Sequence, residues 1–169
     1  MVLGITKEVY NKFGFNKFKA RVSVRNPEHP EKYFGGDELW KKAESILIEG
    51  VKKLSDDYFV KEGEAAFYGP KIDVMIEDAI GREWQLTTIQ LDFNQPENFD
   101  MTYTGEDGKP HRPAVLHVAI LGALERFIGV IIEHYSGAFP YWLAPVQVKI
   151  VPVAQDFNKY ANEVLEDLK

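Results

Sequence analysis

A strand-like stretch between Arg82 and Phe93, REWQLTTIQLDF, carries four neutral side chains that form hydrogen bonds: Gln85, Thr87, Thr88 and Gln90. A glutamine amide and a threonine hydroxyl each act as donor and acceptor, so such a row can recognise a small polar ligand without adding charge. A solvated strand face has the same composition, and spacing alone favours that interpretation. Gln85 and Thr88 are three positions apart and face opposite ways on a regular strand. Both can line one pocket only if a β-bulge intervenes.

The segment FYGPK, residues 67–71, contains two more candidate binding side chains. Tyr68 can stack on a ligand and donate a hydrogen bond, and Lys71 can pair with a phosphate or a carboxylate. The Gly-Pro pair between them enforces a turn that would present both side chains. An ordinary turn that enters a strand has a similar sequence, and this segment alone favours that simpler interpretation.

His117 stands alone in an apolar stretch, where a histidine is typically a core residue bonded to a backbone carbonyl. It could also be one corner of a zinc site, but catalytic zinc needs three protein ligands. The other histidines show no matching spacing; they are His29, His111 and His134. From these residues alone, the core histidine is the favoured interpretation.

Arg126 lies in LGALERFIG, at a predicted junction between a strand and a helix. Its guanidinium could form a fork that binds phosphate, and the preceding Gly122-Ala123 pair would allow a ligand to approach closely. The alternative is a solvated charge, paired with Glu133 across two helical turns. Periodicity does not decide between these two roles.

Helices and strands must position these residues. Periodicity predicts helices over residues 1–13, 39–54 and 123–135, and strands over residues 18–25, 71–77, 82–93 and 113–122. The turn DAIG joins two of these strands into an antiparallel hairpin, a short strand lies in DMTYT, and the strand at 113–122 is predicted to be buried on both faces. Asp37 is the predicted N-cap of the second helix. This order predicts an α+β fold with helices against antiparallel strands.

The apolar spacing also predicts which helix faces are buried and where a second domain begins. The expected core residues of the two later helices are Ala43, Ile46, Leu47, Val51 and Leu54, then Leu124, Phe127, Ile128, Ile131 and Tyr135. FPYWLAP, residues 139–145, suits a linker. VQVKIVPV then predicts a strand, and DFNKYANEVLEDLK predicts a helix capped by Asp156.

Composition excludes several classes of function. The 169-residue chain has a net charge of −6 and a pI near 5.3, which argues against a wide surface for gripping phosphate backbones. It has no cysteine, so it has neither a disulfide framework nor an all-cysteine zinc site, and this fits a reducing compartment. We predict no signal peptide, because the N-terminal segment MVLGITKEVYNKFGF has charges every few residues and no apolar core. We also predict no membrane span, because the longest apolar run, near residues 115–124, is broken by His117 and is too short.

Two long segments together resemble the catalytic core of threonyl-tRNA synthetase, a class II aminoacyl-tRNA synthetase. They are EGEAAFYGPKIDVMIEDAIGREWQLTTIQLDF and HRPAVLHVAILGALERFIGVIIEHYSGAFPYWLAPVQV, with KYFGGDELWKKAE upstream. The resemblance covers nearly the whole chain. It implies a class II antiparallel sheet flanked by helices over residues 1–140, followed by an incomplete α/β anticodon-binding unit over residues 141–169.

The resemblance also implies a cytoplasmic, homodimeric ligase that forms threonyl-adenylate from threonine and ATP, with Mg²⁺, and passes the threonyl group to threonine tRNA. Arg126 matches the arginine of class II motif 3, which contacts the ATP phosphates, and His117 matches one of three Zn²⁺ ligands. The positions that line the threonine and adenylate pocket match Tyr68, Lys71, Gln85, Thr88 and Gln90. Ala123 falls where many members carry serine. The implied catalytic residues are Arg126, Gln85 and Lys71.

The chain departs from the family pattern in two ways. Thr87 stands where members usually have glycine, so the bulge must form without its usual helper. Motifs 1 and 2, a cysteine and a second histidine have no counterparts, which leaves one zinc ligand of three. We therefore expect this chain alone not to aminoacylate and to bind zinc weakly at best. The alternatives are a non-catalytic synthetase-like binding module and another class II synthetase such as the prolyl enzyme.

Overall fold

A five-stranded sheet carries the polar strand, and the computed structural model describes residues 1–168. The helices are α1 (Val2–Phe13), α2 (Asp37–Leu54), α3 (Asn94–Asn98), α4 (Leu124–His134) and α5 (Asn158–Asp167). The strands are β1 (Phe18–Val24), β2 (Tyr58–Glu62), β3 (Lys71–Glu77), β4 (Glu83–Asp92), β5 (Tyr103–Thr104), β6 (Pro110–His111) and β7 (Val115–Ala119). Short 3₁₀ turns cover Pro30–Lys32, Tyr141–Leu143 and Gln155–Phe157.

The strand order in the main sheet is β2-β1-β3-β4-β7. β3 pairs antiparallel with both β1 and β4, and β7 pairs antiparallel with β4. The predicted hairpin and the α+β class are confirmed. The sheet is not wholly antiparallel, because β2 pairs parallel with β1. Strand β2 was not predicted from the sequence, because a parallel strand is not joined to its partner by a hairpin turn that a local pattern would reveal.

One face of the sheet forms the core against the helices. Alternating residues of the two central strands are buried there: Ala20, Val22 and Val24 on β1, and Ile72, Val74 and Ile76 on β3. Helix α2 contacts both strands, and its Trp40 is fully buried with its indole N–H bonded to the carbonyl of Phe34 at 2.7 Å. The side chains that alternate with these residues along the two strands lie on the other face of the sheet; they include Arg21, Ser23, Lys71 and Asp73.

Two predictions about α2 are wrong. Gly36, not Asp37, occupies the N-cap position, while the Asp37 carboxylate in the first turn accepts a hydrogen bond from Arg25 at 2.7 Å. Ile46 is exposed, and Trp40 takes its place in the core. The buried stripe thus starts one turn earlier than the aliphatic spacing indicated.

The C-terminal part of the main sheet is more exposed than predicted. β7 forms one edge of the sheet, and most of its residues, including Leu116 and Val118, are exposed.

Helix α4 begins and ends one residue inside the predicted range. It buries Phe127 and Ile131 as predicted, with Val130. Leu124 and Ile128 are exposed, which corrects their placement in the core.

The chain divides into two compact units, Met1–His134 and Tyr135–Lys169. In the second unit α5 forms as predicted, although Phe157 rather than Asp156 is its N-cap. The predicted strand over VQVKIVPV is wrong within the described residues, where residues 147–152 have no regular structure. A strand needs a partner for its backbone groups, and this segment has none in the part of the chain described. No helix within residues 1–168 is long and apolar enough to span a bilayer.

Candidate functional site

A β-bulge in β4 turns the polar side chains toward one side of the sheet. Asp73 pairs with Thr88 and Met75 pairs with Gln85, so two residues of β4 oppose Val74 alone. The Gln85 amide consequently donates a hydrogen bond to the Thr88 hydroxyl at 3.0 Å. The β-bulge that Gln85 and Thr88 need in order to face the same side of the sheet is therefore present.

Thr87 fixes this bulge by a set of buried hydrogen bonds. Its hydroxyl donates to the carbonyl of Ile120, its backbone N–H donates to the Tyr10 hydroxyl at 3.2 Å, and the two hydroxyls are 2.9 Å apart. Burial raises the pKa of Tyr10, and the hydrogen bonds with Thr87 oppose that rise. A threonine therefore anchors the bulge to α1 and to the segment before α4.

A buried carboxylate lies beneath the bulge. Asp73 is inaccessible to solvent, and four side chains contact its two oxygens. The Gln85 amide and the Thr88 hydroxyl each donate to Oδ1 at 2.8 Å, while Arg21 and Lys71 lie 2.8 and 2.9 Å from Oδ2. Three of the predicted site residues thus share one anchor.

A cleft of about 630 Å³ opens beside this cluster. Thr88 belongs to both, and the cleft is also lined by Tyr68, Gln90 and His117. The Tyr68 hydroxyl donates to Gln90 Oε1 at 3.2 Å, and the Tyr68 and His117 rings meet edge to face with centroids 6.4 Å apart. Four predicted binding residues, from three separate segments, therefore surround one space large enough for a small ligand.

The position of Tyr68 depends on the glycine that follows it. A Cβ on Gly69 would collide with the backbone carbonyl of Leu91, so only glycine lets this segment lie against β4. Backbone hydrogen bonds from Leu91 and Phe93 to the carbonyls of Pro70 and Tyr68, each 3.0 Å, hold it there. The Gly-Pro turn thus presents Tyr68 at the cleft.

His117 is not a core histidine bonded to a carbonyl, which was the favoured interpretation of its sequence context. Its side chain is 43% exposed, and Nε2 lies 2.9 Å from Asp92 Oδ2. Burial would raise the pKa of Asp92, but hydrogen bonds from Gln95 N–H, the His117 ring and Asn94 N–H outweigh it and hold the pKa below its usual value. Asp92 therefore stays ionised and orients the imidazole toward the cleft.

The described residues do not fit a zinc ion. Within residues 1–168 no group of three or more histidine, cysteine or acidic side chains is arranged to hold a metal. His117 offers one nitrogen, and its other nitrogen already bonds to Asp92. The structure thus gives no support to zinc as a cofactor of these residues.

Arg126 and Ala123 do not line the 630 Å³ cleft. Arg126 Nη1 donates to the backbone carbonyl of Gln85 at 2.7 Å, and its side chain lies in a separate recess of about 350 Å³ with Trp84. Glu133 pairs with Arg82 at 2.7 Å, and so is not the partner of Arg126 that the alternative interpretation considered. Ala123 is exposed just before α4.

A second cleft, of about 610 Å³, contains none of the predicted site residues. Its lining mixes both charges, with lysines from α1 and β1 and the carboxylates of Glu77 and Glu83. Its volume is close to that of the first cleft, and its neutral hydrogen-bonding side chains are Asn11, Asn16 and Ser55. Of the predicted site residues, the first cleft is lined by Tyr68, Thr88, Gln90 and His117, and not by Lys71, Gln85, Ala123 or Arg126.

Sequence reasoning missed Asp73, Arg21 and Asp92. Asp73 is two residues from Lys71 on a strand and so shares its face, which is a signal that alternation alone could have provided. Arg21 and Asp92 meet their partners only through cross-strand pairing. Arg21 is opposite Asp73. Asp92 shares a face of β4 with Gln90, which is opposite His117.

Comparison with known proteins identifies the family of the chain. Residues 2–135 match the family described as the tRNA synthetase class II core domain (G, H, P, S and T). The chain belongs to this class II synthetase family. It is 49% identical over 166 residues to a threonine–tRNA ligase of Chloroherpeton thalassium, and 51% identical over 167 residues to that of Deinococcus radiodurans.

A solved structure shows the same class II fold. The crystal structure of the RNA binding domain of threonyl-tRNA synthetase from Cryptosporidium parvum Iowa II has a TM-score of 0.88 and 37% identity. The match covers 99% of this chain and 41% of that one. This confirms the resemblance to threonyl-tRNA synthetase. The chain spans about a quarter of the two ligases, 25% and 26% of their lengths, although these alignments include 98% and 99% of its own residues.

Proposed function

We propose that this chain provides the aminoacyl-adenylate-binding face of a threonine–tRNA ligase. The observation that carries the proposal is the convergence of Tyr68, Thr88 and Gln90 on one cleft, beside Lys71 and Gln85 on a shared carboxylate. Neutral hydrogen-bonding groups suit the hydroxyl and amino groups of threonine, because a site built to bond a hydroxyl rejects an analogue that lacks it.

The two parts of this face have different roles. Tyr68 and Gln90 would bind the threonyl part of the adenylate by hydrogen bonds. Lys71 would contribute positive charge toward the phosphate, since Asp73 is shared by two cations and cannot neutralise both. Arg126 would contact the ATP phosphates after leaving the carbonyl of Gln85, to which it now donates. Ala123 would border the adenylate at the start of α4.

The complete reaction would use ATP with Mg²⁺, form threonyl-adenylate and transfer the threonyl group to threonine tRNA. We assign no step to a metal, because residues 1–168 contain no cluster that could hold one. The chain by itself is expected not to catalyse the reaction, since Arg126 alone would be half of a clamp for ATP. We expect the complete ligase to form a homodimer.

Calorimetric titration with a non-hydrolysable threonyl-adenylate analogue tests the binding proposal. Tyr68→Phe removes one donor at the cleft and should weaken binding by about three- to tenfold, the effect of one hydrogen bond. Tyr160→Phe, in α5, is the matched control and should leave the affinity unchanged. Equal affinity for the prolyl-adenylate analogue, or no binding of either, would overturn the proposal.

Threonine-dependent exchange of pyrophosphate into ATP tests the expected lack of activity. The chain should bind the adenylate analogue yet show no exchange above a blank without protein. Robust exchange would contradict this expectation and show that these residues suffice for the first step.

A further inference from the structure

Asp73 lies below the surface that would touch a ligand, yet it contacts three residues of that surface. Its Oδ1 accepts from Gln85 Nε2 and Thr88 Oγ1, both at 2.8 Å. Its Oδ2 lies 2.9 Å from the Lys71 ammonium. The side chain is fully buried, so solvent cannot replace any of these partners.

An ionised carboxylate only accepts hydrogen bonds, which decides how its neighbours are oriented. Gln85 must turn its NH₂ group toward Asp73 and leave Oε1 as its unbonded or weakly bonded end. Thr88 must direct its hydroxyl proton at Asp73, and its oxygen then accepts from Gln85 at 3.0 Å. The donors and acceptors left for a ligand are therefore fixed before the ligand arrives.

Arg21 supplies the second positive charge. Its Nη2 donates to Asp73 Oδ2 at 2.8 Å and lies 3.4 Å from Gln85 Oε1. A carboxylate buried without compensation is strongly unfavourable, and the two adjacent cations, Arg21 and Lys71, compensate the charge of Asp73. Arg21 also approaches the Gln85 oxygen, which favours the same orientation of that amide.

We propose that Asp73 is a positioning residue that fixes the hydrogen-bond polarity of Gln85 and Thr88 and the location of the Lys71 ammonium, with Arg21 as its counter-ion. This role rests on the proposed function, because it concerns the same adenylate-binding face. In Asp73→Asn, an NH₂ group replaces one acceptor oxygen. Either this new NH₂ group faces the cations of Arg21 and Lys71, or the Gln85 amide must rotate by about half a turn so that its oxygen accepts from the new NH₂ group.

Nuclear magnetic resonance of the ligand-free chain tests the positioning directly. The side-chain NH₂ of Gln85 should exchange with water at least about tenfold more slowly than that of Gln90, whose amide is bonded through its oxygen. Asp73→Asn should remove this protection, while Asp56→Asn, at an exposed position, should preserve it. Equally fast exchange of Gln85 and Gln90 in the unmutated chain would overturn the proposal, even if Asp73→Asn fails to fold.

Binding of the threonyl-adenylate analogue links the polarity to recognition. A folded Asp73→Asn chain should bind it at least about tenfold more weakly than the unmutated chain, whereas Asp56→Asn should match the unmutated chain. If the Asp73→Asn chain keeps the slow exchange of the Gln85 NH₂ group and binds the analogue as tightly as the unmutated chain, the positioning role is contradicted. If the unmutated chain does not bind the analogue but its Gln85 NH₂ group exchanges slowly, the proposed function is wrong. The orientation of Gln85 by Asp73 is then still supported.

Discussion

At the scale of single residues, Thr87 stabilises the β-bulge at the position where the family resemblance led us to expect glycine. Its backbone N–H and its hydroxyl form hydrogen bonds with Tyr10 and with the Ile120 carbonyl, and both Thr87 and Tyr10 are fully buried. The bulge is then stabilised by partners rather than by a permissive backbone.

Tyr10→Phe should destabilise the fold by about 1–3 kcal/mol, because the buried N–H of Thr87 loses its acceptor. Chemical denaturation followed by circular dichroism measures this change. Tyr160→Phe, at an exposed tyrosine, is the control and should unfold at the midpoint of the unmutated chain. An unchanged midpoint for Tyr10→Phe would show that the hydroxyl does not anchor the bulge.

Asp78 provides a pH dependence in the β3–β4 turn. Burial would raise the pKa of its carboxyl, but hydrogen bonds from Trp84, from Arg82 and from the backbone of Ile80 hold the pKa well below the usual value. The unfolded chain therefore takes up this proton first, so the stabilisation is full above about pH 4 and declines as the pH falls further. Asp78→Asn should flatten the stability profile below about pH 4 in denaturation curves. Parallel acid profiles for both chains would contradict this assignment.

At the scale of elements, the hairpin of β3 and β4 could be predicted because its signals are local. Alternation and a turn sequence suffice for it, and the spacing of Gln85 and Thr88 shows that the two side chains can face one pocket only across a bulge. The partner of β2 and the edge position of β7 depend on distant pairing, which no local pattern contains. An apolar run such as that in β7 does not reveal whether another element covers it, so its burial was overestimated. The role of Asp73 could be recognised only from the pairing register of β1, β3 and β4, which places Arg21 and Thr88 opposite Asp73.

The junction of β7 and α4 depends on Gly122. Its φ of +67° and the close approach of the Leu86 carbonyl leave no room for a Cβ. Gly122→Ala should destabilise the fold by about 2 kcal/mol or more through strain and collision. Gly129→Ala, in α4 with open space around it, should instead stabilise the fold by up to about 1 kcal/mol. Thermal unfolding of both variants measures the difference, and shifts of the same sign would contradict it.

At the scale of the whole molecule, the two clefts have similar volumes but different linings. One combines neutral hydrogen-bonding groups, an oriented imidazole and a nearby ammonium, and the other combines several lysines and carboxylates with two asparagines and a serine. The family assignment and the chemistry of the first cleft lead to the same proposal. The remaining three-quarters of the aligned ligases' length would have to supply whatever else the reaction needs.

The most direct test of the central claim is a map of amide chemical-shift changes on titration with the threonyl-adenylate analogue. We predict that the largest changes occur at Tyr68, Thr88, Gln90 and His117, around the 630 Å³ cleft. Changes concentrated instead at Lys7, Lys19 and Glu83, around the 610 Å³ cleft, would contradict the assignment of the adenylate-binding face.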